Sequence, residues 1–406
     1  MTPNHIVVIG GSLAGARALE AARRLGFAGR LTLVGAEAHV PYDRPPLSKD
    51  FLDADKASAI PYFSGAEDMA KRLDVQLLLG KAATGIDLTH RKLRIDESTL
   101  DYDAALIATG ASARALSTPP NLNGVSTLRT VDDAQRVRAA MDRGARVVVI
   151  GAGFIGSEVA SAVRKRGSQV TMIEALPVPL ARAVGRTAGQ WLSAVHARHG
   201  TELICGVAVD AVVGNDTVEG VLLADGRSIP ADLVVVGIGA IPATDWLADS
   251  GLDIENGILC DATMRAADSV WAAGDVSRWY SQDFKMHLRV EHWTNAADQG
   301  AHAMRNLLDP AHATPYRHIP YFWSDWYGHR IQLAGLAVGE PTVVAGDTST
   351  DKFVALFRDG ERLVGALCLN RRADVMRYRA LIAEGGSWTD GLELARQRNA
   401  VVSANA

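Results

Sequence analysis

The chain carries one strand–turn–helix unit twice. His5-Ile6-Val7-Val8-Ile9-Gly10-Gly11-Ser12-Leu13-Ala14-Gly15 corresponds to Arg146-Val147-Val148-Val149-Ile150-Gly151-Ala152-Gly153-Phe154-Ile155-Gly156. Each run of β-branched residues reads as a buried parallel strand, which shows no polar alternation because both of its faces are covered. Each strand enters a glycine turn and then an alanine-rich segment of helical texture. A second strand follows, Leu31 to Val34 in one copy and Val170 to Ile173 in the other. Units of this kind build doubly wound α/β sheets, and their glycine turn receives the diphosphate of a dinucleotide. Two copies predict two dinucleotide sites.

The second turn is the complete one. Gly151 allows the tight turn, Gly153 lets a pyrophosphate approach the backbone, and Gly156 lets the helix lie close to its strand. The helix start carries a partial positive charge that suits phosphate. Glu174 ends the next strand, where an acid accepts from a ribose 2′-hydroxyl and repels a 2′-phosphate, so NADH is expected over NADPH. The first turn departs from this pattern. Ser12 replaces the middle glycine between Gly10 and Gly15, and its small hydroxyl side chain still fits beside a diphosphate. Glu37, three residues beyond Val34, is the candidate ribose acid there.

Further strands ending in turns are expected at Leu106 to Gly110, Val234 to Gly239 and Val270 to Asp275. From about Pro310 the texture changes. Pro320 to Tyr327 is aromatic-rich, and the alternation over Lys352–Arg358 and Leu363–Leu369 reads as antiparallel strands. Val401–Ala406 carries no structural signal.

Composition removes other classes. Lys plus Arg number 42 against 46 Asp plus Glu, a net charge of −4, without the basic excess of a nucleic-acid binder. The three cysteines, Cys205, Cys260 and Cys368, offer neither a CxxC nor a metal-ligand spacing, so no metal is expected. Their scarcity suggests a reducing compartment. No apolar run approaches the ~20 residues of a membrane span. The short Ile6–Ile9 run is a first strand rather than a signal peptide, and a cytoplasmic location is expected.

Between and beyond the two turns lie Pro41-Tyr42-Asp43-Arg44-Pro45-Pro46-Leu47-Ser48-Lys49, Ala108-Thr109-Gly110, Leu128-Arg129-Thr130, Ala273-Gly274-Asp275, Arg289-Val290-Glu291-His292-Trp293 and Phe322-Trp323-Ser324-Asp325. In this order and over nearly the whole chain they resemble the FAD-dependent ferredoxin reductases, the putidaredoxin-reductase-like and biphenyl-dioxygenase-reductase-like flavoproteins of the glutathione-reductase fold. The resemblance implies an α/β chain of two Rossmann-like dinucleotide-binding domains plus a smaller α+β C-terminal domain. FAD would take residues 1–112 and 240–309, NADH residues 113–239, and the C-terminal domain residues 310–406.

The resemblance also implies roles. Ala14, Glu37, Arg44, Lys49, Ala83, Thr109, Gly110, Arg129, Asp275 and Trp293 would contact FAD. Asp275 would serve the ribityl and pyrophosphate region. Trp293 would sit by the isoalloxazine, just before a helix starting near Asn295. Phe154, Ile155 and Gly239 would join the NADH site. Lys49 and Glu158 would pair close to flavin N5, and Trp323 would lie at the edge facing the ferredoxin. The family continues Trp-Ser-Asp-Gln, whereas Trp326 stands here in place of the glutamine, a departure that bears on partner specificity and on flavin exposure.

NADH gives two electrons together and an iron–sulfur cluster takes one at a time; a flavin does both. The expected path is NADH to FAD to a [2Fe–2S] ferredoxin that feeds a cytochrome P450 or a ring-hydroxylating oxygenase. Arg317, Arg330, Arg371, Arg372 and Arg377 are candidates for a basic docking patch. A disulfide reductase would need two thiols near Lys49, and none exists there. Reduction of a small acceptor (monodehydroascorbate, quinone or oxygen) is the alternative. An apoptosis-inducing-factor-like role through protein contacts lacks any supporting insertion.

Overall fold

A computed structural model describes residues 3–116 and 122–404, with side chains to residue 400. The chain forms two compact units. One comprises Met1–Asp43, Pro61–Ser112 and Ile241–Pro320; the other comprises Arg44–Ile60, Ala113–Ala240 and Tyr321–Ala406.

In the first unit a six-stranded sheet runs in the order Arg265–Ala267, Val270–Ala272, Ala104–Ile107, His5–Ile9, Arg30–Gly35, Val75–Leu79. It is parallel except for the antiparallel pair at the Arg265 edge. Ile6, Val7, Val8 and Ile9 are at most 1% exposed, which is why that strand reads as an unbroken apolar run. Helices Leu13–Arg24 and Trp293–Leu308 pack closely. A Cβ on Gly300 would fall 2.2 Å from the Ala14 carbonyl oxygen, so glycine is required at that crossing. Two small sheets complete the unit: Ala83–Asp87, Lys92–Ile95 and Ser98–Asp101, and Ile258–Cys260, Ser277–Ser281 and Met286–Leu288.

The second unit holds a five-stranded parallel sheet in the order Glu202–Cys205, Val170–Glu174, Val147–Ile150, Leu233–Val236, Val125–Thr127. A core of Val148, Ile150, Ile173, Val221, Val234 and Val236 joins it to the antiparallel strands Val209–Gly214, Val218–Leu223 and Ser228–Pro230. Helix Val131–Asp142 starts at a capping box, in which the Thr130 hydroxyl accepts from Asp133 N and the Asp133 carboxylate accepts from Thr130 N. The C-terminal α+β part is an antiparallel sheet ordered Tyr321–Trp326, His329–Gly335, Arg362–Leu369, Lys352–Asp359, Thr342–Asp347, with helices Arg372–Ala383 and Trp388–Ala404. The stretch from Val401, which carries no structural signal of its own, is helical as far as Ala404, because the helix formers at 392–398 carry the helix into it. Its last two residues lie outside the described ones.

Segment Arg44–Ile60 belongs to this second unit although its sequence neighbours on both sides belong to the first. It makes two short 3-10 turns, Pro45–Ser48 and Asp50–Leu52, and buries Leu47, Phe51 and Leu52 to 2% exposure or less. Burial of each contributes about 1.5–3 kcal/mol.

Candidate functional site

The two glycine turns have the same internal construction. Gly10 has φ +121°, and a Cβ there would lie 2.1 Å from the Ala108 carbonyl oxygen; Gly151 has φ +99°, and its Cβ would lie 2.4 Å from the Gly237 carbonyl oxygen. The last glycine of each motif sits on the first, with a Cβ on Gly15 or Gly156 falling 2.1 Å from the carbonyl oxygen of Gly10 or Gly151. The middle position differs. A Cβ on Gly153 would meet no described atom beyond its chain neighbours nearer than the Gly237 carbonyl oxygen at 3.9 Å, so the turn itself does not demand glycine there. The space it leaves open lies at the start of helix Phe154–Lys165, which has no side-chain cap and no acid in its first turn. Helix Leu13–Arg24, whose N-cap is Ser12, likewise lacks a side-chain cap bond and a first-turn acid. The first N–H groups of a helix have no intrahelical partner, so both starts fit an incoming anion.

Around the second turn, Glu174 points back at the glycines. Its Oε2 accepts from Ala152 N at 3.0 Å and its Oε1 from Leu176 N at 3.0 Å, which fixes a carboxylate beside the turn. Phe154 packs edge-on against Phe322 with centroids 4.4 Å apart, while Ile155 is 43% exposed. Gly239 has φ +106°, and its carbonyl accepts from Arg114 N at 2.9 Å.

Around the first turn, Ala14 is buried, its methyl 3.2 Å from where a Cβ on Gly274 would lie. Glu37 Oε2 accepts from the buried Tyr42 hydroxyl at 2.5 Å. Ala83 opens its strand opposite Ile95. Thr109 Oγ1 donates to the Ala243 carbonyl at 3.0 Å, and the Gly110 carbonyl accepts from Ala243 N at 3.0 Å. Asp275 is half-buried after Gly274, whose φ is +81°. Trp293 Nε1 donates to Asp43 Oδ1 at 2.6 Å. The helix expected near Asn295 begins instead at Trp293, because Asn295 turns inward to donate to the Val290 carbonyl and caps nothing. This helix too starts without a side-chain cap or a first-turn acid.

Lys49 and Glu158 meet inside the second unit. Lys49 Nζ lies 2.7 Å from Glu158 Oε1, with the Lys49 side chain 18% exposed and that of Glu158 2%. Two hydroxyls complete the carboxylate's shell: Ser324 Oγ donates to Oε1 at 2.5 Å and Ser48 Oγ donates to Oε2. Trp326 Nε1 donates in turn to Ser324 Oγ at 2.7 Å. The buried carboxylate thus has one cation and two hydroxyl donors around it, which offsets the cost of its burial. In the same unit Arg44 Nη1 reaches the Arg129 carbonyl at 2.7 Å.

Sequence reading missed Ser48 and Ser324 as Glu158 partners, and also Gln299, whose Oε1 accepts from both Gly274 N and Ser277 Oγ at 2.8 Å. Each lies far along the chain from its partner; Ser48 and Ser324 fall inside two of the segments quoted above, but nothing there pairs them with Glu158. Two expectations change. Trp326 is fully buried, stacked at 5.0 Å on His196, so this departure from the family pattern alters packing behind Glu158 rather than a docking face. Arg371 is buried against Asp374 and presents no charge to a partner. Arg317 pairs with Asp283 and Arg330 binds Asp325 through two bonds, whereas Arg372 and Arg377 are exposed. Trp323 is half-buried on the edge strand, stacked on Tyr321 at 6.2 Å, and by strand alternation it faces away from Ser324.

All three cysteines are free, and burial pushes each thiol up, the neighbouring Glu174 adding to the effect at Cys205. Among the described residues no group of three His, Cys, Asp or Glu could hold a metal, and no helix is long and apolar enough to cross a membrane.

Residues 4–300 match the pyridine nucleotide-disulphide oxidoreductase family, and residues 321–395 match the reductase C-terminal family. Rhodocoxin reductase of Rhodococcus erythropolis is 38% identical over 93% of this chain and 89% of that protein. The anthranilate 1,2-dioxygenase system ferredoxin–NAD(+) reductase component of Burkholderia cepacia is 35% identical over 95% of each. Among solved structures, the covalent putidaredoxin reductase–putidaredoxin complex superposes with a TM-score of 0.89 at 28% identity, covering 98% of this chain and 99% of the other. A match across both glycine turns, with relatives aligned nearly end to end, means that the chain belongs to the pyridine nucleotide-disulphide oxidoreductase family.

Proposed function

We propose that the chain is an FAD-dependent NADH:ferredoxin oxidoreductase, taking hydride from NADH and passing single electrons to a [2Fe–2S] ferredoxin that supplies a cytochrome P450 or a ring-hydroxylating oxygenase. The observation that carries this reading is a pair of anion-ready glycine turns in a chain whose three cysteines are all free and dispersed, so electrons have no dithiol to enter. The relatives' names point the same way, to ferredoxin reductases rather than to enzymes for a small acceptor. Bound FAD supplies the step between a two-electron donor and a one-electron acceptor.

The chain's own residues then have the following work. Residues 1–112 and 240–309 would carry FAD. There Gly10, Ser12, Ala14 and Gly15 would receive the diphosphate, Glu37 the adenosine ribose, and Asp275 the ribityl side. Arg44, Ala83, Thr109, Gly110, Arg129 and Trp293 would complete the contacts, and the uncapped helix start at Trp293 would favour negative charge on the ring system. Residues 113–239 would carry NADH. Gly151, Gly153 and Gly156 would take the pyrophosphate, with Phe154, Ile155 and Gly239 beside it. Glu174, already aimed at the turn, would accept from the ribose and repel a 2′-phosphate. Lys49 would offer its ammonium to the reacting flavin edge, with Glu158 holding it in place. Trp323, in the C-terminal domain of residues 310–406, would stand at the electron-exit edge. The free thiols suit the reducing cytoplasm, where the chain is proposed to work.

The test is an assay of the purified yellow protein with NADH and NADPH, following cytochrome c reduction with and without candidate ferredoxins. NADH-driven, ferredoxin-dependent reduction is expected. Equal rates with and without any ferredoxin, or a colourless protein that takes up no flavin, would end the proposal.

A further inference from the structure

Segment 44–60 delivers Lys49 and Ser48 to Glu158, and its attachment rests on arginines that no motif marks. Arg138, on helix Val131–Asp142, donates through Nη1 to the carbonyls of Phe51 at 2.6 Å and Asp53 at 3.0 Å, and through Nη2 to that of Lys56 at 3.0 Å. Arg166, directly after helix Phe154–Lys165, places Nε and Nη2 on the Leu52 carbonyl at 3.0 and 2.8 Å. Asp142 braces both, 3.6 Å from Arg138 Nε and paired with Arg166 Nη1. Lys165 Nζ adds a 2.5 Å bond to Asp53 Oδ2. Both arginine side chains are mostly buried, 15% and 8% exposed.

Two of the carbonyls they engage, those of Phe51 and Leu52, end the Asp50–Leu52 turn, where acceptors lack an intrahelical donor; those of Asp53 and Lys56 follow it, and the Asp53 carbonyl also accepts from Lys56 N at 3.3 Å. Five charge-assisted bonds from two rigid forks fix backbone position rather than any side chain. Lys49 lies three residues away. Among the described residues and apart from Glu158, its Nζ reaches only the Pro45 carbonyl at 3.5 Å, so its aim depends on the seating of the backbone.

We infer that Arg138 and Arg166 are positioning residues, clamping segment 44–60 onto helices Val131–Asp142 and Phe154–Lys165 of its own unit so that Lys49 is held against Glu158. The inference rests on the proposed role of Lys49. Two consequences separate it from a purely structural role. Loosening the clamp slows flavin reduction while leaving flavin content and NAD+ affinity intact. A lysine at 166, which still serves the single Leu52 carbonyl, preserves the function that methionine loses.

The experiment compares Arg138→Met, Arg166→Met, Arg138→Lys, Arg166→Lys and Lys49→Met as flavin-loaded proteins. It measures amide exchange over residues 47–53, single-turnover flavin reduction by NADH, and NAD+ affinity. In the methionine variants exchange should quicken about tenfold or more and reduction slow about tenfold, with the NAD+ dissociation constant within about twofold of native. Arg166→Lys should stay close to native, and Arg138→Lys, keeping one of three carbonyls, should fall between. Should the methionine variants fail to fold, the ordering of the two lysine variants decides. Faster exchange with native reduction, or unchanged exchange, overturns the clamp. A native reduction rate in Lys49→Met would overturn the role of Lys49 instead.

Discussion

Replacing Gly153 with alanine should separate binding from folding. At Gly153 φ is −78°, which alanine adopts without strain, and beyond its own chain neighbours the nearest described atom to its Cβ would be the Gly237 carbonyl oxygen at 3.9 Å. Folding stability should therefore hold, or rise by about 0.4–1 kcal/mol, because the unfolded chain loses freedom. The added methyl would stand where a pyrophosphate must approach the helix start. Overpacking of that order costs about 1–3 kcal/mol, so the dissociation constant for NAD+ should rise about 5- to 150-fold. Gly156→Ala should do the opposite. Its Cβ would lie 2.1 Å from the Gly151 carbonyl oxygen and 3.1 Å from Val149 Cγ1, so the helix must move off its strand and the unit loses stability. Thermal unfolding of the flavin-loaded variants, with calorimetric NAD+ titration, measures both quantities. Native NAD+ affinity in Gly153→Ala, or native stability in Gly156→Ala, would refute the reasoning.

Glu174→Ala should narrow the preference for NADH over NADPH by about 10- to 100-fold, since a fixed charge beside the turn is removed; an unchanged ratio of kcat/KM values would exclude that role. Lys49→Met should leave the Glu158 carboxylate buried with only hydroxyl donors and cost about 3 kcal/mol of stability, besides slowing flavin reduction; a variant native in both respects would exclude the pair as a functional unit. His196 is held down to about 4 by burial, with His199 adding to the effect, against an ordinary value of 6.5. The unfolded chain therefore takes up a proton that the folded chain refuses. This group's contribution to stability is intact above about 6.5 and is lost as the pH falls from about 6.5 to about 4. His196→Asn should flatten that part of the stability profile, and an equal acid slope in the variant would contradict it.

Much of the architecture was legible because its causes are local. A glycine forced to positive φ, an apolar strand and an uncapped helix start all lie within a dozen residues, so both turns could be read directly, and Glu174 followed from its place at the end of the next strand, 22 residues from Ala152. Glu158's shell could not be read that way. Ser48 lies 110 residues from it and Ser324 lies 166 away, and although both fall in the family-like segments, neither segment says which carboxylate its hydroxyl meets. Trp326 and Arg371 misled for the converse reason, since aromatic and cationic residues late in the chain suggest a surface until their partners, Ser324 and Asp374, are seen to bury them. The clamp by Arg138 and Arg166 was invisible because its acceptors are backbone carbonyls, which every residue has.

The most direct measurement is anaerobic. A limiting amount of NADH is added to the flavin-loaded protein in catalytic amount with an excess of oxidised [2Fe–2S] ferredoxin, and the bleaching of the cluster's visible band is counted against NADH consumed. Two ferredoxins reduced per NADH is the predicted result. NADH consumption with the ferredoxin left oxidised would contradict it.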